Sequence, residues 1–459
     1  MRLPQVSGAF WALSLLLVAC FALGGSARGE VASLMVLRPL AILLLGFGLW
    51  RLKFEQVKAH WFLFAMGLAI LALPALQLIP MPQALWRQLP GRDLVMDIDK
   101  AAALGEVWRP LSLTPGATWN ALFAAIVPFA VLVLGVQLDR EERFRLLPLV
   151  LGLAGFSALL GLVQTLGDPN GWLYFYETTN NGSAVGLFAN RNHQALLLAM
   201  MLPMLAVLAH GRGVNGGTRQ LIALVSGLLL LPFILITGSR SGMIVAAIAL
   251  LAVPLVVGRA LHLAGPLPGK SGSGRKPLFG SRLGLVLLAA GLVLLTIWLG
   301  RGLAWERLLT SEPADDLRAK ILPTLFSMIR VYFPVGSGMG SFEQIYQVHE
   351  PDALLSPTYM NHAHNDWLEV LLTGGAISAV LLIIAVAGFL LQSRRAFSVP
   401  AASSASIKYA RLGLVMLMLA GLASISDYPL RVPSLASLLT VALLWTGCAM
   451  PKSHPKSAP

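Results

Sequence analysis

Long uncharged apolar blocks, each close to the length of a bilayer-crossing helix, constrain the fold of this sequence more than any motif does. Twelve can be drawn, approximately Gly8 to Gly24, Val31 to Trp50, His60 to Pro80, Ala117 to Leu138, Leu146 to Leu166, His193 to His210, Gln220 to Thr237, Gly242 to Gly258, Leu283 to Leu299, Asp366 to Leu391, Arg411 to Asp427 and Leu435 to Met450. The hydrocarbon core takes about 20 apolar residues at the helical rise, and backbone in lipid must satisfy its own hydrogen bonds, so each block predicts a helix. Composition agrees, with 56% apolar and only 12% charged residues, far outside the globular range. The expected fold is an all-α polytopic membrane protein of about twelve transmembrane helices. The first block also reads as a signal peptide, with Leu17-Val18-Ala19-Cys20 like a lipoprotein cleavage box, but eleven further blocks favour a retained helix.

An even number of spans puts both termini on one side, and Lys and Arg decide which. With the termini inside, the cytoplasmic segments hold 20 cations against four acids, and the outer segments hold 13 against 17. Arg38 alone lies well within a span. The net charge of +13 is thus a topology signal and not a nucleic-acid footprint, since no basic soluble domain exists to carry one. Cys20 and Cys448 both fall inside expected spans, which leaves no loop disulfide and no cysteine metal site.

The stretch from Arg259 to Arg282 is a flexible basic linker; Lys270 follows glycines, but the phosphate-loop spacing and a preceding strand are absent. Three outer segments are long enough to act. Leu76 to Gly116, with Trp86 and Trp108, reads as an interfacial segment held by aromatic residues, with Trp119 just beyond it. Gly167 to Asn192 carries Trp172, Tyr174, Phe175 and Tyr176 before Asn190-Arg191-Asn192. Gly300 to Asn365 is the largest. Within it Leu317, Ile321, Leu325 and Met328 recur at helical spacing with Arg318 and Lys320 between them, which predicts an amphipathic helix on the bilayer surface despite Pro323. Pro334-Val335-Gly336-Ser337-Gly338-Met339-Gly340 follows as turn glycines, because the strand and helix of a dinucleotide site are missing.

A carrier would bury ionisable residues near the bilayer midplane. Here the polar residues collect where helices meet outer loops, which suits a reaction at the surface better than passage. Arg191 starts the sixth span and Arg240 lies in the short turn before the eighth. The guanidinium fork donates to phosphate in a bidentate way and stays charged, although each Arg alone also reads as a headgroup anchor. His364 lies where the large loop meets the tenth span, and imidazole is suited to take a proton near neutral pH. His362 and His364 as a metal pair is a weak signal without a third ligand. Asn365 or Asp366 reads as a helix cap, with Glu369 as the returning partner of a capping box.

At these residues the chain resembles the bacterial O-antigen ligase and polymerase superfamily. Members carry a Phe-x-Asn-x-Asn element before a central span, a Ser-Arg turn two spans later, a large loop with Gly-x-Gly-x-Gly-x-Phe, and His-Asn-x9-Gly-x-x-Gly leading into a span. Here these are Phe188 to Asn192, Ser239-Arg240, Gly336 to Phe342, and His364-Asn365 running on to Gly375 and Ser378, with Ser in place of the last Gly. The resemblance implies a metal-independent, cofactor-free inverting transfer of a glycan from an undecaprenyl-diphosphate-linked donor. Arg191 and Arg240 would hold the diphosphate and His364 would activate the acceptor hydroxyl, with Asn190, Asn192, Arg318 and Asn365 in support. The acceptor is lipid A core for a ligase, a growing O-antigen or exopolysaccharide for a polymerase, or a pilin-like protein; ligase activity is the first expectation, polymerase the second and a lipid-linked sugar carrier the third. The chain divides into residues 1–145 with four helices and periplasmic segment 81–116, a ligase-like catalytic region 146–391 with periplasmic loop 300–365, and residues 392–459 with two helices and a cytoplasmic tail. The protein is expected in the inner membrane with both termini cytoplasmic.

The charge split places Gly300 to Asn365 outside. With Cys20 and Cys448 replaced, a cysteine introduced at Ser311 should react with an impermeant thiol reagent in intact spheroplasts; labelling only after lysis would reverse the orientation.

Overall fold

A computed structural model of the chain describes residues 6–176, 180, 182–211, 216–258, 318–355, 359–401 and 404–449. The described residues are mostly helical. The bundle contains α1 (Gly8–Leu23), α2 (Leu34–Arg51), a short α3 (Phe54–Ala59), α4 (Trp61–Gln77), then a small unit of α5 (Gln83–Trp86) and α6 (Asp93–Ala101). It continues with α7 (Pro115–Gly135), α8 (Arg140–Leu166), α9 (Arg191–Ala209), α10 (Gly216–Ile236) and α11 (Arg240–Val257). Beyond residues 259–317, which lie outside the described residues, come α12 (Leu322–Tyr332), α13 (Phe342–His349), α14 (Asp366–Phe397), α15 (Ala405–Ala423) and α16 (Pro433–Thr446). Eight of these helices are long and apolar enough to cross a membrane, while α1, α4 and α16 are apolar but shorter. Eleven of the twelve apolar blocks coincide with these helices; the ninth, Leu283 to Leu299, lies outside the described residues, as do Ser311 and Leu317.

The core forms around α9, whose residues from His193 to Leu205 are all buried. The helices α8, α10, α11 and α15 surround it, and 78% of its span is buried inside the protein. Small residues set the closest approaches. A Cβ on Gly242 would lie 2.2 Å from that of Ala195, so the first turns of α11 and α9 touch, and Gly413 of α15 lies equally tight against the Ala442 carbonyl of α16. At the opposite end of the bundle Asp139 and Glu142 form a capping box that starts α8 earlier than its apolar block, and Glu142 also accepts from the Ser7 backbone N–H at 2.7 Å.

Two sequence expectations change in the loops. The stripe Ile321, Leu325, Met328 and Tyr332 does not face a bilayer surface. It is buried against Phe342, Ile345 and Tyr346 of α13 and Leu372 of α14, a second small core. Pro323 sits in the first turn of α12, where its missing N–H costs nothing. Trp86 is not an interfacial anchor either: it is 2% exposed, donates to the Pro110 carbonyl, and lies under the guanidinium groups of Arg92 and Arg109. A two-stranded pairing of Pro80–Met81 with Arg109–Pro110 closes this unit. Trp108 and Trp119 remain exposed.

The glycine loop at 336–340 locks onto a break in α14. Gly336, Gly338 and Gly340 all take positive φ, and Ser337 and Gly338 donate to the Leu372 and Thr373 carbonyls. Those carbonyls are available because Gly375 leaves the helix, at φ 60° and ψ −144°, a conformation essentially confined to glycine; a Cβ there would meet the Pro334 carbonyl at 2.2 Å. Gly374 packs directly on the Ser378 side chain and leaves no room for a Cβ of its own. The break fixes the first turns of α14 against the loop, and the residues just before α14 belong to the site.

Candidate active site

Three helix starts meet at one cavity, each capped by a side chain that the sequence supplies. Asn190 accepts from Asn192 N–H to start α9, Ser239 accepts from Gly242 N–H to start α11, and Asn365 accepts from Leu368 N–H to start α14. Arg191 and Arg240 are the first residues of their helices. Ser239 Oγ also donates to Asn192 Oδ1 at 2.7 Å, so the starts of α9 and α11 are bonded to each other. The cavity has a volume of about 420 Å³. Arg191, Asn192, Arg240, Arg318, His364 and Asn365 all line it, with Ile244, Leu322 and Ile425 among the apolar lining. Asn190 does not line it and acts from behind, capping α9 and donating to Asp427 at 3.1 Å.

Among the described residues the lining carries three guanidinium groups and an imidazole and no carboxylate. Each helix start adds a positive end equivalent to about half an elementary charge. Such an arrangement suits a multiply charged anion with several oxygens, because backbone N–H groups and planar forks donate together. Among the described residues no group of three His, Cys, Asp or Glu side chains is placed to hold a metal ion.

His364 faces the cavity 17% exposed, at φ 49°, a left-handed conformation that costs a residue other than glycine of order 1–3 kcal/mol. Behind it stands Asp427, 3% exposed, with Oδ1 at 3.4 Å from His364 Nδ1, an ion-pair separation just beyond good hydrogen-bond length. Asp427 also accepts from the Tyr428 backbone N–H and lies 3.8 Å from His193 Nε2. Burial alone would raise the Asp427 carboxyl; His193, His364 and Arg318 outweigh it and hold the group well below the ordinary carboxylate range. The Tyr428 ring sits amid three imidazoles, its centroid 5.1 Å from that of His193, 4.3 Å from His362 and 4.9 Å from His364. Burial and the adjacent Asp427 push its phenol above the usual range.

Asp427 escaped the sequence reading because it stood at the end of an apolar block. In the structure α15 stops at Ala423, and Asp427 lies in the turn before α16. The expected capping box at Glu369 is also corrected. Glu369 does not return to its cap; it accepts from His362 Nδ1 at 3.0 Å and Ala363 N–H at 2.8 Å, and Arg431 lies 3.2 Å away. Asp366 pairs with Arg431 at 2.9 Å and leaves capping to Asn365.

Residues 225–383 match the family model described as O-Antigen ligase. This match, over about a third of the chain, supports the resemblance to the O-antigen ligase superfamily. The ligase match contains Arg240, Arg318, the 336–340 glycine loop and His364, whereas Arg191 precedes it. No curated protein matches the chain.

The Ser239 bond gives a test of the cavity that needs no reaction. Ser239→Ala should cost about 1 kcal/mol of stability as a lost cap and also weaken binding of inorganic pyrophosphate. Ser404→Ala, which removes the cap of α15 at the other end of the bundle, should cost similar stability in thermal unfolding and leave pyrophosphate binding unchanged.

Proposed function

We propose that the protein is a membrane glycosyltransferase that moves a glycan from an undecaprenyl-diphosphate-linked donor to an acceptor hydroxyl at the outer face of the bacterial inner membrane. The observation that carries this reading is the cavity in which Arg191, Arg240 and Arg318 and three capped helix starts face His364. In this reading the twelve-helix chain has both termini in the cytoplasm and the cavity opens to the periplasm. The diphosphate lies against Arg191 and Arg240, with Arg318 closing from the large loop. Lipid A core is the acceptor for a ligase.

The chemistry follows from what a diphosphate ester requires. Diphosphate is already a good leaving group, so the site has to stabilise its growing charge and activate a poor nucleophile. The acceptor oxygen attacks the anomeric carbon as the bond from that carbon to the diphosphate oxygen breaks, and a single displacement inverts the configuration. The hydroxyl proton passes to His364. Asp427, on the Nδ1 side, orients the ring and stabilises the imidazolium that forms, leaving Nε2 to the hydroxyl. No metal or cofactor enters the scheme.

Purified protein supplied with lipid-linked oligosaccharide should join glycan to lipid A core; growth in repeat number would instead make it a polymerase, and movement of donor without bond formation would make it a carrier. In the same assay His364→Ala should insert normally, bind donor and lose transfer by about 10² to 10⁴-fold. His362→Ala should keep much more activity. Arg240→Ala should weaken donor use severely, with Lys rescuing only in part because it lacks the fork. Near wild-type turnover in His364→Ala would refute the base.

A further inference from the structure

The base and its carboxylate partner come from segments far apart in sequence, yet one buried carboxylate is bonded to both segments. Glu369 is fully buried, and its two oxygens hold the base-bearing segment: Oε1 takes His362 Nδ1 at 3.0 Å and Oε2 takes the Ala363 N–H at 2.8 Å. The same Oε1 lies 3.2 Å from Arg431, which belongs to the turn that carries Asp427. Arg431 also pairs with Asp366 at 2.9 Å, Leu430 N–H donates to Asp366, and the Asp366 N–H donates to the Ser424 carbonyl. His364 therefore stands between two anchored neighbours, Ala363 and Asp366, in a left-handed conformation that a free segment would leave.

None of Asp366, Glu369 and Arg431 lines the cavity. Two carboxylates share one guanidinium: burial alone would lower Arg431, and Glu369 and Asp366 more than offset it. A buried ionic cluster contributes little net stability compared with apolar packing, whereas removing one partner leaves a buried charge uncompensated. We infer that Glu369 and Arg431 are positioning residues, a buried clamp that sets the distance and angle between His364 and Asp427. This inference rests on the transferase reading for its rate effect, but the clamp itself has a readout that needs no transfer.

The test uses the full-length protein with Glu369→Gln, which keeps the shape and one acceptor oxygen but replaces the other with an NH2, so that either the Ala363 N–H or the His362 and Arg431 side loses its acceptor. Expected are a kcat about 10- to 100-fold lower, the scale of a misplaced catalytic group, an unchanged donor KM, and faster modification of His364 by diethyl pyrocarbonate, read by peptide mass spectrometry. Glu142→Gln, which removes a buried carboxylate at the other end of the bundle, should change none of these. Arg431→Lys, which keeps the charge but cannot span both carboxylates, should give the same pattern in milder form and carries the test if Glu369→Gln does not fold. Unchanged kcat with unchanged His364 reactivity overturns the clamp. So does a loss shared between kcat and KM with a lowered melting temperature, which marks a merely structural role. If wild-type protein transfers no glycan while His364 reactivity still rises in Glu369→Gln, the transferase reading falls and the clamp stands.

Discussion

The bond from Ser239 Oγ to Asn192 Oδ1 joins the first turns of two helices that belong to different parts of the chain, and the cavity depends on that junction. It forms because Gly242 and Ala195 allow α11 and α9 to touch. Arg191 and Arg240, the first residues of those two helices, then both line the cavity. A helix start is the one place in such a helix where backbone N–H groups are free to donate. On the proposed reading, two such starts, with a third from α14, form an anion site at the end of an otherwise apolar bundle.

The rest of the structure serves to bring His364 to that site in a fixed pose. The break at Gly375 exposes the carbonyls on which the 336–340 loop locks, and so ties the large loop to the first turns of α14. The second core around Ile321, Tyr332 and Phe342 packs α12 on the same helix and delivers Arg318 to the cavity. Asp427 comes from the opposite direction, on the turn between α15 and α16, and the buried Glu369, Asp366 and Arg431 hold the two approaches together.

The helices were legible because blocks of apolar residues have no other stable form in lipid. That Arg191, Arg240 and His364 meet at one cavity was legible for a related reason: each stands where an apolar block meets an outer segment, and the alternation of spans puts those ends on one side. Asp427, Arg431 and the true partners of Glu369 were not legible, because an ion pair between distant segments leaves no local spacing to read. Glu369 was misread through the same limitation, since its position fits a capping box locally and only the tertiary arrangement redirects it. Trp86 and the Ile321 stripe misled in the opposite way. An aromatic residue and an amphipathic face near a membrane fit a lipid interface, and here both are covered by the protein's own loops.

The central claim is that the cavity binds a diphosphate through converging guanidinium groups and helix starts. Calorimetric titration of the protein in lipid nanodiscs with farnesyl diphosphate, farnesyl phosphate and farnesol tests it most directly. The account predicts affinity falling in that order, with the advantage of diphosphate over alcohol largely lost in Arg240→Ala. Equal affinity for diphosphate and alcohol, or a diphosphate preference that survives loss of Arg191 and Arg240 together, would contradict it.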